Sequence, residues 1–180
     1  IPARTSANVP GIAASLPRGS LCVEAWAKVG AVGDAVIASS YGSGNNGAFL
    51  LRCQAGRVVF VNQVGGTFVE AAANGTTCAN GQWHHFAGCR SVIGATLTNT
   101  VFLDGELKAT ATGTTASIGA NAPVFFGGVT YGADGLGGAI DEVRISSTVR
   151  YPGSFTPARR LTSDPDTVAL WHLDEGAGAT

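Results

Sequence analysis

Turn-forming residues punctuate this chain so often that a long helix has no room to form. Gly42-Ser43-Gly44-Asn45-Asn46-Gly47, Ala55-Gly56, Gly65-Gly66, Asn74-Gly75, Asn80-Gly81 and Asp104-Gly105 recur at intervals of roughly eight to twelve residues. The runs between them are short and rich in β-branched and aromatic residues. That rhythm specifies an antiparallel sandwich or barrel. No segment sustains a 3.6-residue apolar period, so helix is a minor component. Strands are predicted near 21–29, 35–40, 48–53, 57–63, 67–72, 83–90, 99–104, 107–112, 123–128, 138–146 and 167–173. Asp104-Gly105 tolerates positive φ at both central positions of a type I′ turn, which makes residues 101–108 the clearest hairpin. Residues 1–20 read as irregular, broken by Pro2, Pro10 and Pro17. Residues 150–166 read as an excursion, with Arg159-Arg160 between its prolines.

Composition narrows the function classes. A length of 180 residues suits one sandwich domain, residues 1–180. Hydrophobic residues make up 45% and charged ones 13%, so disorder is not expected. A net charge of -1 supplies no field for nucleic acid or an anionic membrane. No apolar run approaches the ~18 residues of a membrane span, so membrane insertion is not expected. Ile1-Pro2-Ala3-Arg4 does not read as a secretion signal, and the chain reads as a mature or excised piece. The four cysteines, at 22, 53, 78 and 89, lack C-x-x-C spacing. Two disulfides in an oxidising compartment are expected, against the alternative of four buried thiols. By count alone, three pairings are open.

Four motifs carry a family resemblance. Leu21-Cys22-Val23-Glu24-Ala25-Trp26-Ala27-Lys28 precedes Gly81-Gln82-Trp83-His84-His85-Phe86-Ala87. Then come Val101-Phe102-Leu103-Asp104-Gly105 and Gly138-Ala139-Ile140-Asp141-Glu142-Val143-Arg144-Ile145. In this order they resemble the laminin-G-like branch of the concanavalin A-like lectin/glucanase superfamily. The resemblance implies an all-β fold of two packed antiparallel sheets, a jelly roll. It also implies the pairing Cys22–Cys89 and Cys53–Cys78, because the family fold brings the strand of Cys22 near the strand after Trp83. A fifth family motif, Ala169-Leu170-Trp171-His172-Leu173-Asp174-Glu175-Gly176-Ala177-Gly178, normally opens the domain and here closes the chain. Residues 167–180 therefore close the domain in cis, belong to the next unit of an array, or complete a neighbouring molecule.

Candidate sites follow, each with a plainer alternative. The family implies calcium, for which Asp141, Glu142, Asp174 and Glu175 would supply oxygens. The alternative is that these carboxylates bond backbone amides or Arg144. The chain also lacks the family's Asp-x-Ser-Gly-Asn-like loop. Tyr41, Tyr131 and Asp134 sit in Gly-rich loops and are the candidates for ligand contact. Trp26, Trp83 and Trp171 could stack on sugar, but each lies in a strand motif and reads first as packing. His84 and His85 point to opposite faces of a strand and read as packed or hydrogen-bonded.

No carboxylate pattern matches the paired acids of a glycosidase, and no nucleophile elbow, phosphate loop or zinc motif is present. The sequence thus reads as a non-catalytic, secreted or cell-surface recognition and adhesion module for glycan or protein. The alternative is a structural repeat or filament subunit, its partners copies of itself.

Overall fold

Strand β2 (Leu21–Val29) sets the pattern of the molecule. Leu21, Val23, Ala25, Ala27 and Val29 enter the core, whereas Cys22, Glu24, Trp26 and Lys28 take the opposite face. This is the period-two alternation of a strand in a sandwich. The computed structural model describes residues 6–30, 33–40, 49–64, 66–75, 77–115, 123–129 and 135–174. Besides β2 these form β1 (Ala7–Val9), β3 (Asp34–Ser40), β4 (Phe49–Gln54), β5 (Arg57–Val64), β6 (Thr67–Ala72), β7 (Trp83–Ile93) and β8 (Thr96–Leu103). Next come β9 (Glu106–Thr114), β10 (Val124–Phe126), β11 (Gly138–Ser146) and β12 (Thr167–Trp171). Among the described residues the one helical element is a short 3-10 turn at Ala13–Ser15.

Two six-stranded antiparallel sheets result, ordered β1-β10-β3-β4-β5-β6 and β12-β11-β2-β7-β8-β9. Their inner faces meet in one core that includes Phe49, Leu51, Val58, Phe60, Phe86, Val101, Val143 and Ile145. Gly88 is part of that fit, since a Cβ there would overlap the Phe60 ring from the facing sheet. Both disulfides form as the resemblance implies. Cys22 and Cys89 are direct cross-strand partners of β2 and β7, and Cys53 joins β4 to Cys78.

The hairpin turn has Asp104 at φ 53° and Gly105 at φ 79°, the two positive values that a type I′ turn needs. Three features depart from the sequence reading. Residues 7–9, expected to be irregular, pair with β10 as a short edge strand, from Ala7 opposite Phe126 to Val9 opposite Val124; Pro10 follows it directly. Strands β7 and β8 run on to a second hairpin at Gly94-Ala95, where Gly94 adopts φ 59°. The third is Trp83, which is 42% exposed rather than packed.

At the other end of the second sheet, β12 pairs with β11 of the same chain. Val168 and Trp171 pack against the core, and the Trp171 ring stands 5.0 Å from Phe126 on β10. That contact stitches the two sheets together at this edge.

Candidate functional site

The outer face of the second sheet holds the chemistry, because residues 147–166 fold back across it. Phe155 N donates to Gly105 O, Leu107 N to Ser154 Oγ at 3.0 Å, and Trp26 Nε1 to Ala158 O at 2.9 Å. Tyr151 and Phe155 stack at 3.5 Å and lie against Phe102, Ala87 and the Cys22–Cys89 bridge. Within the segment Arg150 reaches both carboxylate oxygens of Asp164, at 2.7 and 2.6 Å.

Beneath this cover Glu24 is 1% exposed. Its Oε1 accepts from Arg144 Nε at 2.8 Å and Nη2 at 2.7 Å. Its Oε2 accepts from the Tyr151 hydroxyl at 2.7 Å and lies 3.1 Å from His85 Nε2. Burial pushes the carboxyl up, but the hydrogen bonds from His85 and Tyr151 and the charge of Arg144 outweigh it. Glu24 is held below the usual carboxylate range. The same burial, with the Glu24 charge and hydrogen bond, pushes the Tyr151 hydroxyl up, so it stays a donor. Glu24 is thus an anion with both carboxylate oxygens engaged. Arg144 turns to Glu24, and Asp141 and Glu142 instead accept from backbone amides, the other half of the sequence alternative.

Two of the predicted metal residues, Asp141 and Glu142, lie where β11 bulges. Asp141 opposes Trp26 and Arg144 opposes Glu24, so Glu142 and Val143 share one position on β2. Glu142 adopts φ 53°, and its buried carboxylate accepts from Leu161 N at 2.7 Å and meets His172 Nδ1 at 2.8 Å. Arg160 bridges Glu142, at 3.5 Å, and Asp174, at 2.9 Å. Its hydrogen bond and charge hold the exposed Asp174 below the usual range. Asp141 Oδ1 accepts from the Glu142 amide. The structure therefore brings Glu142 and Asp174 together around a guanidinium, with Asp141 alongside. Among the described residues no group of three or more His, Cys, Asp or Glu is placed to hold a metal ion. Glu175, Tyr41, Tyr131 and Asp134 lie outside the described residues.

His84 and His85 point apart as expected. His85 joins the Glu24 cluster, while His84 Nδ1 meets Asp104 Oδ2 at 2.6 Å. Asp104 also accepts from the His85 amide at 2.9 Å, so this turn residue braces the start of β7.

Just beyond the cover segment the outer face becomes accessible. Ala139, Lys28 and Trp83 stand side by side on β11, β2 and β7, all three exposed. The next row is Asp141, Trp26 and His85, and the Arg159 guanidinium stacks on Trp26 at 4.3 Å from its ring. Sequence reasoning treated Trp83 as packing and passed over Lys28 and Arg159. The available signal was phase, since Lys28 falls on the Glu24 and Trp26 face of β2.

Comparison with known proteins agrees with this architecture. A laminin-G family model, described as the concanavalin A-like lectin/glucanases superfamily, matches residues 3–154. The chain belongs to this superfamily. A search of curated protein sequences returns no match. Among solved structures, the Ruminococcus gnavus IT-sialidase CBM40 bound to alpha2,3 sialyllactose superposes with a TM-score of 0.64 at 19% identity, over 82% of this chain and 88% of its own. Mouse laminin alpha1 chain domains LG4-5 give 0.55 at 15% identity, over 79% of this chain and 42% of theirs. The native heptameric SAP-like pentraxin of Limulus polyphemus gives 0.52 at 17% identity, over 73% and 65%. At these identities the similarity is one of fold. The chain spans less than two thirds of the laminin and pentraxin chains.

Proposed function

We propose that this chain is a non-catalytic recognition module of a secreted or cell-surface protein, binding glycan or protein at its surface. What carries the reading is the state of the two buried carboxylates. Glu24 is occupied by Arg144, Tyr151 and His85, and Glu142 by Leu161 N, His172 and Arg160. Carboxylates engaged in this way support a binding role over the paired-acid chemistry of glycoside hydrolysis. Two disulfides support an oxidising, extracellular setting. Membership of a lectin-containing superfamily, and the sialyllactose carried by one structural neighbour, support a glycan as ligand. Calcium assistance through Asp141, Glu142, Asp174 and Glu175 would require Arg160 to release two of them.

The test is a binding screen of the intact, oxidised chain against arrayed glycans, sialyllactose included, and matrix proteins. It is run in calcium and in EDTA, with product release followed on each ligand bound. Saturable binding without turnover is expected. Hydrolysis of a bound glycan would overturn the non-catalytic reading. Absence of any binding, with a polymeric mass by light scattering, would favour a structural subunit instead.

A further inference from the structure

We infer that the exposed row at the end of the cover segment binds an acidic glycan, with Trp83 stacking on a sugar ring and Lys28 and Arg159 pairing with its carboxylate or sulfate. This rests on the recognition reading and names a site and ligand class for it.

The charge distribution is the first argument. Five of the ten Lys and Arg side chains of the described residues have carboxylate partners: Arg52 with Asp34 and Glu70, Lys108 with Glu106, Arg144 with Glu24, Arg150 with Asp164, and Arg160 with Asp174 and Glu142. Lys28 and Arg159 form no ion pair among the described residues, yet they occupy adjacent rows of one sheet face. Two unpaired cations on the same platform form a local positive site on a chain whose net charge is -1.

The aromatic content is the second. Trp83 is the direct cross-strand neighbour of Lys28, and at 42% exposure its indole is open to solvent. Ala139, on the far side of Lys28, adds only a methyl group to the row. The third is rigidity. Stacking on Trp26 holds Arg159 in place, so little side-chain freedom is lost when its planar fork meets an anion. Asp141 is the one carboxylate in the adjacent row. It favours an acidic group on the side of Arg159 that faces Lys28 and Trp83.

The experiment is calorimetric titration of the oxidised chain with three probes of equal length: a hyaluronan hexasaccharide, a heparin-derived hexasaccharide and neutral chitohexaose. Binding of at least one acidic probe is expected, weakening with added salt, with no binding of chitohexaose. A preference between the first two separates carboxylate from sulfate recognition. Trp83→Ala and the pair Lys28→Gln/Arg159→Gln are each expected to weaken it about tenfold or more, the loss usual for an anchoring side chain. Trp83→Phe should recover most of the affinity, and unchanged melting temperatures would show that the variants are folded. Equal binding of chitohexaose, or acidic-probe binding untouched by these substitutions, would overturn this site while leaving the recognition reading intact. Failure of all three probes on a chain that binds another glycan or a protein in the screen would overturn the ligand class alone.

Discussion

Replacing Glu24 by Gln tests whether the buried charges hold the cover segment to the sheet. The substitution keeps shape but removes the anion facing Arg144, itself 7% exposed, and leaves a buried guanidinium without a counter-charge. Breaking a buried pair from one side costs about 3–5 kcal/mol. For a chain of this size each kcal/mol moves the melting temperature by roughly 2–4 °C, so a fall of about 6–20 °C is expected by calorimetry. Glu24→Leu/Arg144→Leu, which removes both charges, should lose less than the sum of its single variants. A pH series supplies the sign. Glu24 in the fold lies below its ordinary value of 4.5, so its contribution is fully present above that value and is lost as the pH falls. The gap between parent and Glu24→Gln should therefore narrow as the pH drops below 4.5. Additive single and double variants, or a gap independent of pH, would refute the claim that this cluster acts as a coupled buried ion pair.

Three further outcomes are expected. Trp171→Ala should cost about 2 kcal/mol by chemical denaturation, less than a fully buried indole, whereas Leu173→Ala, at 40% exposure, should change little. Of the side chains on this terminal strand, Val168 and Trp171 are the ones that pack against the core. Removing Cys22–Cys89 should cost more than removing Cys53–Cys78, about 4.4 against 3.5 kcal/mol for closed loops of 67 and 25 residues, read from denaturation midpoints of the paired Cys→Ala variants. Gly88→Ala should lower stability by about 1–3 kcal/mol in the same assay, because its Cβ would overlap Phe60.

What the sequence disclosed was what local chemistry determines. Strand β11 begins and ends where alternation predicts, and Asp104-Gly105 turns as its φ preference requires. The Gly94-Ala95 hairpin escaped because its second residue carries no turn signal, so two strands were read short. Trp83 was misassigned for a different reason. Membership of a strand motif does not say which face a residue takes, nor where a covering segment stops. The Glu24 cluster was illegible for want of range, since its partners Arg144 and Tyr151 lie 120 and 127 positions away. A carboxylate within an otherwise apolar stretch of β2 was the available hint, and it pointed to no partner. The Asp141–Glu142 pair was noticed, but the bulge that turns Glu142 toward Leu161 and His172 depends on β2 pairing, not on the residues themselves.

The spacing between Glu24 and its partners also imposes an order in time. During synthesis, β7 and both cysteine pairs emerge by residue 93, so oxidation can complete while β2 still lacks its other neighbour. Strand β11, which fills that flank, ends at residue 146, and the tyrosine that completes the charge cluster follows at 151. Until then any pairing of β2 with β7 leaves the other edge of β2 open and Glu24 without Arg144 and Tyr151. The glutamate discourages premature pairing along that edge, since a foreign strand laid there would bury a carboxylate without its arginine. The group that stabilises the finished fold thus also protects the unfinished one.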